Sequence, residues 1–167
     1  MQINIGYGSR SPAQSGTAIY IKFFKHMKKI IFDIKKCVGC KSCEIACAVE
    51  HSKTKNVFTA IYEEPLPVPR RKVEYTDGII ISDACHHCEE ALCVSACMSQ
   101  AMYKDKNGTT QHDETKCIGC WMCIMVCPFG AIKRQKKVVV KCDLCKDREI
   151  PACVESCHTK ALKVVEV

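Results

Sequence analysis

Apolar residues in this chain come in short β-prone runs, and most of them lead into a group of cysteines. Ile30 to Ile34 is the first such run. Glu44 to Glu50 then reads as a helix. Pro65-Leu66-Pro67-Val68-Pro69, followed by Arg70-Arg71-Lys72, is extended, because proline fixes its own φ and restricts the residue before it. Ile79 to Ile81 leads into the second cysteine group. Ala101 to Asp105 and Thr109 to His112 flank Lys106-Asn107-Gly108 and predict a β-hairpin, Asn-Gly being the strongest short cue for one. Ala131 to Lys141 predicts a second hairpin. Ala161 to Val167 alternates like a strand and is expected to pair with Ile30–Ile34, closing the molecule on itself.

The cysteines change this picture from a small α+β chain to a metal protein. There are sixteen in 167 residues, bunched in fours: Cys37, Cys40, Cys43, Cys47; Cys85, Cys88, Cys93, Cys97; Cys117, Cys120, Cys123, Cys127; and Cys142, Cys145, Cys153, Cys157. Groups one and three follow C-x2-C-x2-C-x3-C, and Pro128 completes the pattern in group three. That spacing belongs to thiolates holding cubane iron–sulfur clusters. A loop this short wraps three thiolates around one cluster and leaves one corner for a remote cysteine. Gly39 and Gly119 allow the tight turn. Groups two and four keep the plan with one loop widened.

Disulfides fit poorly, since neighbours three residues apart close no loop worth closing. Four zinc sites of four thiolates each would also use all the cysteines, but zinc sites usually pair one C-x2-C with a distant second one. The formal charge of +7 does not mark a nucleic-acid binder, because no basic stripe carries interleaved aromatics. Sixteen thiolates and four oxidised cores together bring the holoprotein to about −1, so the 25 Lys and Arg read as compensation for cluster charge. No catalytic residue is expected. Radical chemistry on S-adenosylmethionine needs C-x3-C-x2-C, and after Cys97 the required position is Gln100. Neither G-x-G-x-x-G nor a phosphate-binding loop occurs. His86 and His87 read as shields of a cluster or donors to its sulfur, and Trp121 as a shield.

Residues 1–26 read as a disordered tail or a misassigned start, with Met27 a natural beginning. No run there spans a membrane, and Arg10 stands alone where a twin-arginine signal needs a pair. The expectation is a cytoplasmic protein that meets a membrane face only through a partner complex.

The four groups, their order and their widened loops resemble the four-cluster ferredoxin-like subunits that serve molybdopterin oxidoreductases, formate dehydrogenases and hydrogenases. The stretches Cys37 to His51 and Cys117 to Cys123 look most like the iron–sulfur subunit that accepts electrons from nickel-containing carbon monoxide dehydrogenase. The similarity covers residues 27–167. It departs from the pattern where Ala48, Met98 and His158 replace the proline after the fourth cysteine. In some relatives a ligand is replaced and a three-iron cluster results; here all sixteen cysteines are present, favouring four [4Fe–4S] clusters.

The resemblance implies an α+β fold of two ferredoxin-like dicluster modules, with short strands, hairpins and short helices around four clusters. Residues 27–47 plus 132–167 form one module, 79–131 the other, and 48–78 an insertion or linker. It also implies an exchange of ligands, as in two-cluster ferredoxins. Cys37, Cys40 and Cys43 then share a cluster with Cys157, and Cys142, Cys145 and Cys153 share one with Cys47. Cys85, Cys88 and Cys93 take Cys127, and Cys117, Cys120 and Cys123 take Cys97. The implied role is electron transfer, with carbon monoxide dehydrogenase as donor and a hydrogenase or flavin-dependent reductase as acceptor. A formate dehydrogenase or another molybdopterin oxidoreductase is the alternative partner.

Overall fold

The computed structural model describes residues 27–166, so the expectations for residues 1–26 lie outside it. Strand β1 (Lys28–Phe32) pairs antiparallel with β8 (Leu162–Glu166), Lys28 opposite Glu166 and Phe32 opposite Leu162. Alternation along β1 sends Ile30 and Phe32 onto a core of Cys43, Val73, Cys153 and Leu162. The strand stops short of Ile34 because Asp33 caps a 3-10 turn, Ile34–Lys36, its carboxylate accepting the Lys35 N–H at 3.1 Å.

Helices α1 (Ser42–Glu50), α3 (Leu92–Ser95), α4 (Met122–Met125) and α5 (Ala152–Glu155) each begin one residue before the third cysteine of their group. Helix α1 runs for nine residues and carries Cys47 as well. The others are single turns, and Cys97, Cys127 and Cys157 follow just past their ends. Helix α1 lies against α5, and α3 against α4, so first and last groups meet while the two middle groups meet each other.

The expected hairpins form as β4 (Met102–Lys104) with β5 (Thr110–His112), and β6 (Lys133–Gln135) with β7 (Val138–Val140). A third was not foreseen. Strand β2 (Arg71–Thr76) pairs with β3 (Ile79–Ala84) through a two-residue turn at Asp77 and Gly78, with φ of 52° and 81°. Both turn residues lie in the left-handed region, which matches the twist of the flanking strands. The segment before it holds one further turn of helix, α2 (Val57–Ala60), whose cap Asn56 accepts the Phe58 N–H at 2.9 Å. A second small core gathers Met102, Cys123, Ile132 and Val139, with Trp121 against it. Cysteines are members of both cores, so much of the interior is sulfur.

The glycines of the two tight loops differ in what surrounds them. Gly39 and Gly119 have φ of +69° and +70°. A Cβ at Gly119 would run into the backbone carbonyl of Lys137, whereas one at Gly39 would meet only the Ile80 side chain at 3.3 Å. Gly119→Ala should therefore purify with about four fewer irons than wild type, while Gly39→Ala keeps its iron at a cost of about 1 to 2 kcal/mol for the left-handed alanine. Iron and sulfide analysis of the two variants checks this.

Candidate metal centres

In two places the turn-and-helix units bring thiols together across the chain rather than within one group. Two enclosed cavities display this directly. One is lined by Cys85, Cys88, Cys93 and Cys127, together with Thr110 and Phe129. The other is lined by Cys97, Cys117, Cys120 and Cys123, with Trp121 over it. The remaining thiols sort by the charges they feel. Burial, followed by the thiolates of Cys157 and Cys37, pushes up the Cys43 thiol, and Cys157 in turn feels Cys40. Cys47 and Cys153 act on both Cys142 and Cys145, whose thiols burial pushes up to about 12. In the two cavities the fourth cysteine, Cys127 or Cys97, thus faces the loop of the neighbouring group.

Such crowding suits a metal. Buried thiols resist ionisation, and their mutual repulsion adds to the cost. A metal core supplies the missing positive charge and deprotonates them outright. Backbone and hydroxyl donors are already aimed at the sulfurs. Arg70 N–H donates to Cys47 Sγ at 3.3 Å, Met102 N–H to Cys97 Sγ at 3.4 Å, and Leu144 N–H to Cys142 Sγ at 3.5 Å. Ser82 Oγ lies 3.6 Å from Cys43 Sγ. Groups two and four repeat one arrangement. Burial would raise the Cys97 and Cys157 thiols, but both lie low, because an N–H five residues on and a hydroxyl two residues on, Ser99 or Thr159, outweigh it.

Around Cys47 a charged network closes the site. His51 Nε2 donates to Asp143 Oδ1 at 3.1 Å, and Arg70 Nη1 to Asp143 Oδ2 at 2.7 Å. Burial opposes the imidazolium of His51, yet its bonds to Asp143 and Cys47 hold its pKa at about 9. Burial likewise works against the Asp143 carboxylate, and the His51 bond with the Arg70 charge holds it well below the usual range. This network escaped the sequence reading, since its members lie far apart in the chain.

The histidines of group two take separate parts. His86 stacks on Phe129, with centroids 4.0 Å apart, and bonds Asp83 at 2.8 Å. His87 is only 2 % exposed, and neither ring nitrogen has a hydrogen-bond partner. Burial, and then the charge of Lys141, lowers its pKa to about 3, so it is a neutral ring that fills space. A buried neutral ring with an N–H to give suits either expected role, shield of a cluster or donor to its sulfur. Trp121 flanks its cavity with the Arg134 guanidinium 4.4 Å above the ring.

The family model of the 4Fe-4S dicluster domain matches residues 76–167. The chain belongs to that family. It is 41% identical to an iron-sulfur protein of Rhodospirillum rubrum, over 78% of this chain and 78% of that protein. It is 36% identical to the thiosulfate reductase electron transfer subunit PhsB of Salmonella typhi, over 80% and 73%. It is 35% identical to the electron transport protein HydN of Escherichia coli, over 82% and 87%. The cofactors are four [4Fe–4S] clusters, and this dicluster protein is an iron–sulfur electron-transfer protein. Among the described residues no helix is long and apolar enough to cross a membrane.

Asp143 is the shared acceptor of the network around Cys47. Asp143→Asn should weaken it by about 2 kcal/mol, the scale of a hydrogen bond to a charged group. The visible absorbance of the clusters should then bleach roughly 30-fold faster in guanidinium chloride than in wild type.

Proposed function

We propose that this protein relays electrons, one at a time, between two redox partners that dock at opposite ends of its row of clusters. One observation carries the reading: of the sixteen cysteines, only Cys40 and Cys120 are exposed. They hold the same position in groups one and three. Each belongs to a different thiol set, so two sets each present one sulfur to solvent, while the set of Cys47, Cys142, Cys145 and Cys153 is buried throughout. Beside each exposed sulfur stands an apolar residue at matching position, Val38 at 65 % and Ile118 at 67 % exposure. Exposed lysines stand beside both: Lys35, Lys36 and Lys41 close in sequence to Cys40, Lys116 close to Cys120, and Lys137 packed on the Gly119 turn. An apolar tip inside a basic rim suits partners with acidic docking faces.

The clusters supply the one-electron chemistry, and the chain's residues hold and insulate them. In this reading Cys37, Cys40, Cys43 and Cys157 form one ligand set, and Cys142, Cys145, Cys153 and Cys47 a second. Cys85, Cys88, Cys93 and Cys127 form a third, and Cys117, Cys120, Cys123 and Cys97 a fourth. Residues 27–47 with 132–167, and residues 79–131, are then two dicluster modules. The packing of α1 on α5 and of α3 on α4 supports that division. A Cys47→Ser variant should perturb the cluster held by the group-four loop and spare the one at Cys37, which Mössbauer and EPR spectra would register. Loss of the group-one cluster instead would defeat the exchange.

For the donor we favour carbon monoxide dehydrogenase, with a hydrogenase or flavin-dependent reductase as acceptor. The residues from Cys37 to His51 and from Cys117 to Cys123 support this choice. Likeness to the thiosulfate reductase subunit favours a second reading, in which the partner is a formate dehydrogenase or another molybdopterin oxidoreductase. Anaerobically purified protein, carrying about sixteen iron, should be reduced by carbon monoxide with catalytic carbon monoxide dehydrogenase. Reduction by formate dehydrogenase alone would transfer the assignment to the second reading.

A further inference from the structure

Among the described residues only two charged side chains are fully buried, and both are cations: Arg71 at 4 % exposure and Lys141 at 2 %. Arg71 Nη1 donates to the carbonyl and hydroxyl of Ser82, at 2.9 and 3.2 Å, and Ser82 Oγ lies 3.6 Å from Cys43 Sγ. Lys141 Nζ donates to the carbonyls of Thr110 and Cys142, each at 2.5 Å. Thr110 is a wall of the cavity lined by Cys85, Cys88, Cys93 and Cys127. Cys142 belongs to the buried set with Cys47, Cys145 and Cys153. Lys141 thus stands where two thiol sets meet, and Arg71 one hydroxyl away from Cys43.

Electrostatics follows the same geometry. The charge of Arg71 acts on Cys43 and Cys153, and that of Lys141 on Cys93 and Cys142. The set of Cys47, Cys142, Cys145 and Cys153 is therefore flanked by both. Asp143 stands beside it too, but His51 and Arg70 both bind that carboxylate. The group-three loop, at Cys117, Cys120 and Cys123, has neither buried cation acting on the Cys123 thiol.

Resting on the relay reading above, we propose that Arg71 and Lys141 set the potentials along the row, each favouring reduction at the two sites it acts on. The site of Cys47, Cys142, Cys145 and Cys153 is then the most easily reduced of the four. One-electron reduction adds one negative charge to a site, and a buried cation stabilises that charge far better than a solvated one. The site at Cys120, open to solvent, depends on exposed lysines that water and salt screen. An electron passing through the protein meets a resting place inside it.

The test is an EPR-monitored redox titration of anaerobic holoprotein. Lys141→Met should lower the potentials of two sites, making reduction at least tenfold less favourable, about 59 mV for one electron. Arg71→Met should lower two, one of them in common. The double variant should shift three sites and leave the fourth at its wild-type value. Lys141→Arg and Arg71→Lys, which keep the charge, should keep the wild-type potentials. Unchanged potentials in variants with full iron, or an equal shift at all four sites, would overturn the proposal. Where a methionine variant loses iron, glutamine at the same position replaces it. If the glutamine variant loses iron and the charge-keeping one does not, the charge is needed to hold the sites and the proposal stands. If both lose iron, the role is one of shape alone and the proposal fails. Wild-type protein that binds four clusters but accepts no electrons would instead defeat the relay reading.

Discussion

Sulfur charge is the constraint behind this molecule. Each thiol that turns inward must ionise to bind iron, and burial among other thiols makes ionisation steeply harder, as at Cys142 and Cys145. The chain answers locally and at long range. Locally, single-turn helices, tight loops and short strands aim N–H groups at sulfur, so the sequence between cysteines is mostly a device for pointing donors. At long range, Arg71 and Lys141 bring positive charge to places that water does not reach. Iron–thiolate bonding then supplies folding free energy that the two small apolar cores could not. Stability and redox function consequently rest on one set of contacts.

Much of this was legible in the sequence, and the legible part was local. Thiolate loops declare themselves by spacing, because three ligands around one cube need a short loop wherever it occurs. Hairpins declare themselves by their turns, and Asn107-Gly108 marked β4 and β5. The hairpin of β2 and β3 carried an equally plain cue, Asp77-Gly78 between alternating apolar residues, but the prolines and the run Arg70-Arg71-Lys72 before it suggested a surface connection. The run is in fact divided. Lys72 faces solvent, while Arg71 lies inside, because neighbouring residues of a strand point to opposite faces.

Charge was harder to read than spacing. The chain's basic residues read in bulk as a response to cluster charge, but composition does not say which ones are inside. Lys141 is buried because Thr110, 31 positions earlier, offers it a carbonyl. His51 joins Asp143 across 92 positions. No window along the chain contains both partners of either contact, and only the folded arrangement of hairpins brings them together.

The antiparallel clasp of β1 and β8 carries one more consequence. Lys28 and Glu166 are directly opposed, so the polypeptide enters and leaves the folded unit at the same point. A unit with adjoining ends can be spliced into a surface loop of a larger protein without stretching its host. Cluster assembly inside would proceed unaltered, since no ligand lies on either strand. The fold is thereby portable: evolution, or an engineer, can transplant the whole row of clusters into another enzyme as a single cassette.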